Sequence, residues 1–262
     1  MNNTRDLSFL DLPFINQMVF HPRKAPSTPE DIKNRYSVCF SVEESIKICG
    51  FLHEASKQAP TLLFFHGNGE IAQDYHDLGP EFQKRGINIC VMDYRGYGQS
   101  GGEPTFSSMF NDSHKIFQQL RAYLDKNGYS GPLFVMGRSL GSASAIELAS
   151  CYQSEISGLI VESGFAYTYE LLQRLGIPKK LLPEDKESES SPLPLMNKIT
   201  IPTLIIHGEE DFIIPANNGY ALYENCSSKE KELVIIPNAG HNDLLYLGFD
   251  KYMSAVDSFL LQ

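Results

Sequence analysis

The stretch that decides the fold is "LFVMGRSLGSASAIELAS", residues 133–150, in which an apolar run passes through two glycines into an alanine-rich segment. Ser139 stands between Gly137 and Gly141, two positions from each. A G-x-S-x-G pattern between a strand and a helix is typical of a nucleophile elbow, a strained turn that lifts the serine hydroxyl above a sheet. Small flanking residues let that strand and helix approach closely. We therefore interpret Ser139 as a reactive nucleophile.

Short apolar runs recur on both sides of this stretch, with helix-like segments between them. Continuous apolarity is typical of strands buried on both faces of a sheet, and the alternation of strands and helices is what parallel βαβ crossovers require. The fold class predicted is α/β, with a mostly parallel central sheet flanked by helices. Strands are expected at 46–54, 61–66, 87–93, 133–137, 158–163, 203–208 and 232–237, and helices at 71–85, 107–127, 140–153, 216–226 and 244–261.

The chain is predicted to form a single domain over residues 1–262, since 42% hydrophobic and 21% charged residues permit a sizeable core. Residues 1–35 form an N-terminal segment packed on it. The interval 165–200 lacks a strand and is interpreted as a short cap-like insertion. Its charged and serine-rich part, 183–192, is either a cover over a site or a mobile surface loop.

Composition excludes several classes of function. A net charge of −10 repels nucleic acids and anionic lipid surfaces. No stretch approaches the roughly 18 apolar residues that a membrane helix requires, so no stable membrane insertion is expected. The five cysteines are an odd number, are widely spaced and include no C-x-x-C pair, which predicts reduced thiols in a reducing, cytoplasmic compartment.

A serine hydroxyl is a poor nucleophile at neutral pH, so it needs a base and an acid that orients the base. "TLIIHGEEDFIIP" places Asp211 in the loop after one late strand, and "ELVIIPNAGHNDL" places His241 in the loop after the next. The order Ser139, Asp211, His241 is the one expected when a nucleophile elbow stands in a parallel α/β sheet. The sequence therefore predicts these three residues as a catalytic triad.

Four other residues compete for the roles of acid and base. Glu209 and Glu210 are alternative acids, but Asp211 lies deeper in the turn before the apolar "FIIP". Asp243 is better explained as a helix N-cap. His207 lies at a strand end and is interpreted as structural.

Two N–H groups are needed to bind the oxyanion of an acyl-transfer intermediate. Leu140 N–H supplies one, because it follows the nucleophile at the start of a helix, where amides are unpaired and the dipole favours negative charge. Asn68 N–H, in the glycine-rich loop of "LLFFHGNGE", is the second predicted donor. His66 is interpreted as a residue that shapes this loop.

The string "DYRGYGQSGGEP", residues 93–104, is glycine-rich but lacks the Gly-Lys-Ser/Thr of a P-loop. We interpret it as a structural turn in which Asp93 and Arg95 tie loops together beside the site. Substrate contact by Tyr94 or Tyr97 is the alternative.

Together these segments resemble the α/β-hydrolase superfamily, and within it the branch of serine-aminopeptidase-like hydrolases and animal depalmitoylating thioesterases. The resemblance rests on "FFHGNGE", "DYRGYGQSGGEP", "GRSLGSA", "VESGF", "IPTLIIHGEEDFIIP" and "NAGHND", all within residues 61–243. It implies a serine hydrolase that forms an acyl-enzyme from an ester, thioester or amide, with the same five residues as nucleophile, acid, base and oxyanion donors. Membrane-associated members of that branch carry an N-terminal cysteine cluster, whereas the first cysteine here is Cys39, so no such attachment is expected.

The elbow residue itself excludes two chemistries of this fold, because a dehalogenase or epoxide hydrolase would carry Asp there and a dienelactone-type hydrolase Cys. The main prediction is an esterase or thioesterase acting on a small-molecule ester, thioester or acyl substrate, with no cofactor and no metal. The alternatives are a serine aminopeptidase or amidase and a non-catalytic interaction protein that retains the fold. An aminopeptidase needs acids that hold a substrate ammonium, and Glu162 or the acids of 184–189 are candidates. Glu162 is better explained as a hydrogen-bonding anchor at a strand end, and the acids of 184–189 as part of a solvated loop. The oligomeric state is left open.

Overall fold

The computed structural model describes residues 5–26 and 33–261. Its centre is a sheet of eight strands: β1 (Arg35–Ser41), β2 (Lys47–His53), β3 (Thr61–Phe65), β4 (Asn88–Met92), β5 (Leu133–Arg138), β6 (Gly158–Glu162), β7 (Thr203–Gly208) and β8 (Lys231–Ile236). Their order in the sheet is β1-β2-β4-β3-β5-β6-β7-β8. β1 and β2 pair antiparallel, as do β2 and β4, and all other pairs are parallel.

Helices cover both faces of the sheet. They are α1 (Pro13–Val19), α2 (Gly79–Lys84), α3 (Phe106–Lys126), α4 (Gly141–Cys151), α5 (Thr168–Arg174), α6 (Glu187–Ser190), α7 (Leu193–Met196), α8 (Asn217–Asn225) and α9 (Leu244–Leu260). One apolar core lies between the sheet and α3, α4 and α8, and a second lies between the other face and α2 and α9. Every residue of the central strands β3 to β7 is buried, which explains their continuous apolar sequences. The predicted α/β class with a mostly parallel sheet is confirmed.

Two elements differ from the sequence prediction. Strand β1 was not predicted; only alternate positions in its second half are buried, as expected for an edge strand. The single helix predicted over 71–85 is a 3₁₀ turn at Ala72–Tyr75 followed by α2. Pro80 explains the break, because proline is tolerated in the first turn of a helix but not in its interior.

The prediction that all five cysteines are reduced is wrong. Cys39 and Cys49 lie opposite each other on β1 and β2 and form a disulfide. Their Cα atoms are 4.1 Å apart because the antiparallel register pairs them directly. Cys90 and Cys226 are buried thiols and Cys151 is an exposed one. The register, which the spacing of cysteines does not reveal, determines which pair is bonded.

The interval 165–200 contains α5, α6, α7 and two 3₁₀ turns and no strand, as predicted. The end of the charged part, at Ser190 and Ser191, folds back on the start of the interval. Thr168 Oγ1 donates to Ser190 O at 2.7 Å, and Ser191 Oγ donates to Ala166 O at 2.9 Å. Within residues 5–26 and 33–261, no helix is both long enough and apolar enough to cross a membrane.

Candidate active site

Ser139 occupies a strained turn between β5 and α4. Its φ is +51°, in the left-handed region that residues other than glycine seldom adopt, and its N–H donates to Glu162 O at 2.8 Å. A Cβ at Gly137 would lie 2.2 Å from Gly141 O, and one at Gly141 would lie 2.1 Å from Phe65 O. Both glycines are therefore needed for α4 to pack this closely on the sheet.

The structure brings the three residues of the predicted triad together. His241 Nε2 lies 2.9 Å from Ser139 Oγ, and His241 Nδ1 lies 2.6 Å from Asp211 Oδ2. A carboxylate can only accept, so Nδ1 carries the proton and donates to Asp211, which leaves the Nε2 lone pair to accept the Ser139 hydroxyl. All three residues are buried although they are up to 102 positions apart in the chain.

Asp211 is held as a carboxylate by its surroundings. Burial alone would raise the pKa of Asp211, but the nearby imidazole of His207, 3.5 Å away, the hydrogen bond from His241 and the Ile214 N–H lower it well below its usual range. The other carboxylate oxygen, Oδ1, accepts the N–H groups of Ile213 at 2.9 Å and Ile214 at 2.8 Å. Both oxygens are thus fixed, and the carboxylate stays ionised and aimed at His241.

The four competitors for these roles have other positions. Glu209 and Glu210 are exposed, and Glu209 Oε2 accepts the Asn238 N–H at 3.1 Å. His207 is fully buried, and its Nε2 lies 2.7 Å from Ile214 O. Asp243 holds the N-cap position of α9, but its carboxylate accepts the Gly240 N–H at 2.6 Å rather than an amide of the helix. It therefore fastens the loop that carries His241.

The loop that carries Asn68 lies beside the elbow because β3 and β5 are paired, with Phe65 opposite Gly137. The Asn68 side chain is anchored at both ends: Nδ2 donates to Val19 O, and Oδ1 accepts the Tyr97 hydroxyl at 2.7 Å and the His21 N–H at 3.1 Å. These bonds fix the loop and engage both Nδ2 and Oδ1 of the Asn68 side chain in contacts within the protein. Leu140 is the N-cap residue of α4.

The "DYRGYG" segment packs against the loop that carries Asn68 and helps to hold it in place. His66 lies between the Gly67 carbonyl and Asp93, and the Tyr94 hydroxyl donates to His66 O at 2.6 Å. Tyr94 and Tyr97 are almost fully buried, at 5% and 0% exposure, so they are structural residues rather than surfaces for substrate.

The other half of the segment ties more distant loops together. Arg95 forms a two-bond ion pair with Asp112, at 2.7 and 2.9 Å, and a third bond with Glu43.

Arg138, which carries no recognisable motif signal, connects the loops around the site. Its Nη2 donates to His241 O at 2.8 Å and to Asn242 Oδ1 at 2.9 Å, and its Nη1 contacts Glu70. Glu70 in turn accepts the Gly67 N–H at 2.7 Å. One buried guanidinium therefore links the His241 loop to the Asn68 loop. The only sequence signal was a charged residue at the end of an otherwise apolar strand.

Glu162, a candidate for holding a substrate ammonium, is already engaged. It is 4% exposed, and its two oxygens accept Arg138 Nε at 3.0 Å and the Tyr252 hydroxyl at 2.7 Å. The structure thus favours the strand-end anchor for this residue.

The sheet order, the elbow and the loop positions define an α/β hydrolase. The chain belongs to the serine aminopeptidase S33 family of hydrolases, whose family model matches residues 56–184 and 190–245. It is similar to human alpha/beta hydrolase domain-containing protein 17B, with 30% identity over 222 residues that cover 82% of this chain and 70% of that protein. The mouse protein 17C is 31% identical over 81% of this chain, and the match spans 63% of its length, less than two thirds.

Solved structures agree on the fold. The esterase Pf2001 of Pyrococcus furiosus superposes with a TM-score of 0.74 at 23% identity, covering 93% of this chain and 98% of the esterase. Est1E of Butyrivibrio proteoclasticus, solved with ferulic acid bound, has a TM-score of 0.72 at 19% identity over 86% of this chain and 98% of Est1E. At these identities the likeness concerns the fold.

Proposed function

We propose that this chain is a serine hydrolase that cleaves carboxylic esters or thioesters of small or acyl-chain substrates through an acyl-enzyme. The observation that carries the proposal is the hydrogen-bonded series from Ser139 Oγ to His241 Nε2, at 2.9 Å, and from His241 Nδ1 to Asp211, at 2.6 Å. This arrangement has the nucleophile, base and orienting acid that acyl transfer requires.

In the proposed reaction, Ser139 Oγ attacks the substrate carbonyl carbon while His241 Nε2 accepts the hydroxyl proton. The oxyanion that forms is held by the N–H groups of Asn68 and Leu140. His241 then donates its proton to the leaving alcohol or thiol, and the acyl group remains on Ser139. A water molecule, deprotonated by His241, attacks the acyl carbon and releases the carboxylic acid.

Replacement of Ser139 by Ala tests the proposal. We expect ester hydrolysis to fall by roughly 10⁴-fold or more, with an unchanged melting temperature, because only the nucleophilic oxygen is lost. A fluorophosphonate probe should label the wild type and not the variant. Ser144→Ala, a buried serine on α4 whose hydroxyl has no hydrogen-bond partner among the described residues, is the matched control and should retain labelling. Equal labelling of Ser139→Ala would refute the assignment.

Esterase or thioesterase activity is favoured over aminopeptidase activity because Glu162 is occupied by Arg138 and Tyr252. A comparison of acyl p-nitrophenyl esters, acyl thioesters and aminoacyl p-nitroanilides separates these activities. Faster turnover of the aminoacyl amides would replace the proposed substrate class while leaving the serine hydrolase intact.

The predicted cytoplasmic location receives no support from the disulfide between Cys39 and Cys49, since such bonds are typical of oxidising compartments.

A further inference from the structure

Three side chains of the kinds that bind transition metals meet between α3 and α4, at the end of α4 remote from Ser139. His114 lies on α3, and Glu147 and Cys151 lie one turn apart on α4. One imidazole nitrogen, one carboxylate oxygen and the thiol sulfur all lie within 4.8 Å of one another. Positions i and i+4 share a helix face, so Glu147 and Cys151 present their donors together toward α3.

The His114 ring has one nitrogen with a partner and one without. Nδ1 lies 3.0 Å from the Tyr152 hydroxyl, whereas Nε2 has no hydrogen-bond partner within the part of the chain that the structure describes. His114 is only 5% exposed, and Nε2 lies 3.6 Å from Glu147 Oε1, beyond hydrogen-bond range. A buried polar atom without a partner is costly. A bound cation would satisfy this nitrogen.

The spacing of the donors suits a tetrahedral metal ion. Glu147 Oε1 lies 3.6 Å from His114 Nε2 and 3.8 Å from Cys151 Sγ. Ligands bound to zinc at about 2.0–2.3 Å with tetrahedral angles are roughly 3.3–3.8 Å apart. Two of the three donor distances therefore already lie at or near coordinating values, and the third, from His114 Nε2 to Cys151 Sγ, is within 4.8 Å. Rotation of the exposed Cys151 side chain is the movement that closes the remaining gap.

The environment of the cluster suits a divalent cation that keeps one open position. Arg5 Nε donates to Glu147 Oε2 at 3.0 Å, which leaves Oε1 to face the other two donors. Cys151 is exposed, so solvent can reach the cluster and supply a fourth ligand. The contact of the other ring nitrogen of His114, Nδ1, with the Tyr152 hydroxyl would hold the imidazole in place, as such contacts do in metal sites. Nitrogen and sulfur donors favour zinc-type ions over magnesium or calcium, which prefer oxygen.

We propose that His114, Glu147 and Cys151 form a binding site for a zinc-type divalent cation that bridges α3 and α4. The cation takes Nε2, Oε1 and the Cys151 thiolate, whose proton passes to solvent, and water completes the coordination. The site lies outside the proposed active site, so it neither needs nor tests the hydrolase assignment. A bound ion would stabilise the packing of α4, the helix that follows the nucleophile.

Cobalt(II) is the probe for this site, because thiolate ligation gives it a near-ultraviolet charge-transfer absorption. Titration of the full chain without an affinity tag should produce that absorption, and added Zn²⁺ should abolish it by displacement. Zn²⁺ should also raise the melting temperature, whereas Mg²⁺ should not. In Cys151→Ala, the absorption should vanish and the cobalt affinity should fall more than about tenfold.

Matched variants keep the test decisive. Cys226→Ala removes a thiol away from the cluster and should leave the cobalt spectrum unchanged. His114→Gln should weaken binding, and if it fails to fold, Cys151→Ala still decides, because Cys151 is exposed. Absence of the thiolate absorption in the wild type at saturating cobalt, or its persistence in Cys151→Ala, overturns the proposal. So does equal stabilisation of the wild type and Cys151→Ala by Zn²⁺, which would indicate binding elsewhere, for example at His241.

Discussion

At the scale of single residues, Arg138 organises the surroundings of Ser139. Burial alone would lower the pKa of Arg138, but the carboxylates of Glu162 and Glu70 raise it above its ordinary value. The guanidinium therefore stays charged while almost fully buried. Its planar fork reaches the backbone of His241 and two carboxylates at once, which a point charge such as lysine cannot do.

We expect Arg138→Lys to lower kcat for ester hydrolysis by roughly 10- to 100-fold, because a displacement of His241 by about 1 Å is enough for such a loss. KM should change less, since no bond to substrate is removed. Steady-state kinetics and a melting curve measure both effects. Arg174→Lys, on the exposed face of α5, is the control and should behave as the wild type. An unchanged kcat in Arg138→Lys would show that the His241 loop holds its position without this residue.

The choice of Asp211 as the acid is also testable at this scale. We expect Asp211→Asn to reduce kcat by roughly 10⁴-fold, because an amide does not enforce the Nδ1–H tautomer or stabilise the imidazolium. Glu209→Gln and Glu210→Gln are the controls, since both side chains are exposed. If Asp211→Asn keeps its activity and one of the two glutamate variants loses it, that glutamate is the acid instead of Asp211.

At the scale of secondary structure, the contact of α4 with the sheet depends on the absence of side chains. A Cβ at Gly141 would lie 2.1 Å from Phe65 O, a backbone atom that cannot move aside. We expect Gly141→Ala to lower the free energy of unfolding by about 1–3 kcal/mol or more, because α4 must shift outward. It should also reduce activity, because Ser139 and Leu140 precede that helix.

Urea unfolding and esterase assays of Gly141→Ala measure these effects. Gly101→Ala is the matched control, because its φ is not positive and a Cβ there would meet no atom within 4 Å. Equal stability of the Gly141 and Gly101 variants would contradict the close approach of helix and strand.

At the level of the whole molecule, the buried His53 and the half-buried His76 make stability depend on pH. His53 is fully buried, its ring centroid lies 5.5 Å from that of His76, and no ring nitrogen of the pair has a hydrogen-bond partner among the described residues. Burial, with the neighbouring His76 and Arg35, lowers the pKa of His53 to about 4. Burial and Arg35 also lower the pKa of His76 to about 4. Both rings are therefore neutral in the folded protein at pH values where an unfolded chain would protonate them.

Because the folded pKa lies below the unfolded value of about 6.5, the unfolded state binds protons first. The free energy of unfolding should therefore fall as the pH decreases from about 6.5 to 4, by at most about 3 kcal/mol from His53. Urea unfolding at pH 7.5 and 4.5 measures this. His53→Leu should flatten the dependence, while His21→Gln, at an exposed position, should keep it. The same slope in His53→Leu as in the wild type would assign the loss to other groups.

The strands of the sheet and the residues of the candidate site were predictable because the patterns that indicate them span only a few neighbouring residues. Continuous apolar runs identified seven of the eight strands, and the edge strand β1 escaped because it is largely exposed. The proximity of Ser139, Asp211 and His241 was predictable because each follows a recognisable strand, and the carboxyl ends of parallel strands meet at one edge of a sheet. The reduced state predicted for Cys39 and Cys49 was wrong, since cysteine spacing carries no information about which residues of two strands face each other.

Local patterns were enough to place seven strands, most of the helices and the residue types that follow each strand, because apolar periodicity and glycine placement act over a few neighbouring residues. How the loops are held depends instead on contacts between distant parts of the chain. Arg138 meets partners 24 to 104 positions away, and His114 meets Glu147 across two helices. Such contacts depend on register and side-chain direction, which are settled when the whole chain packs.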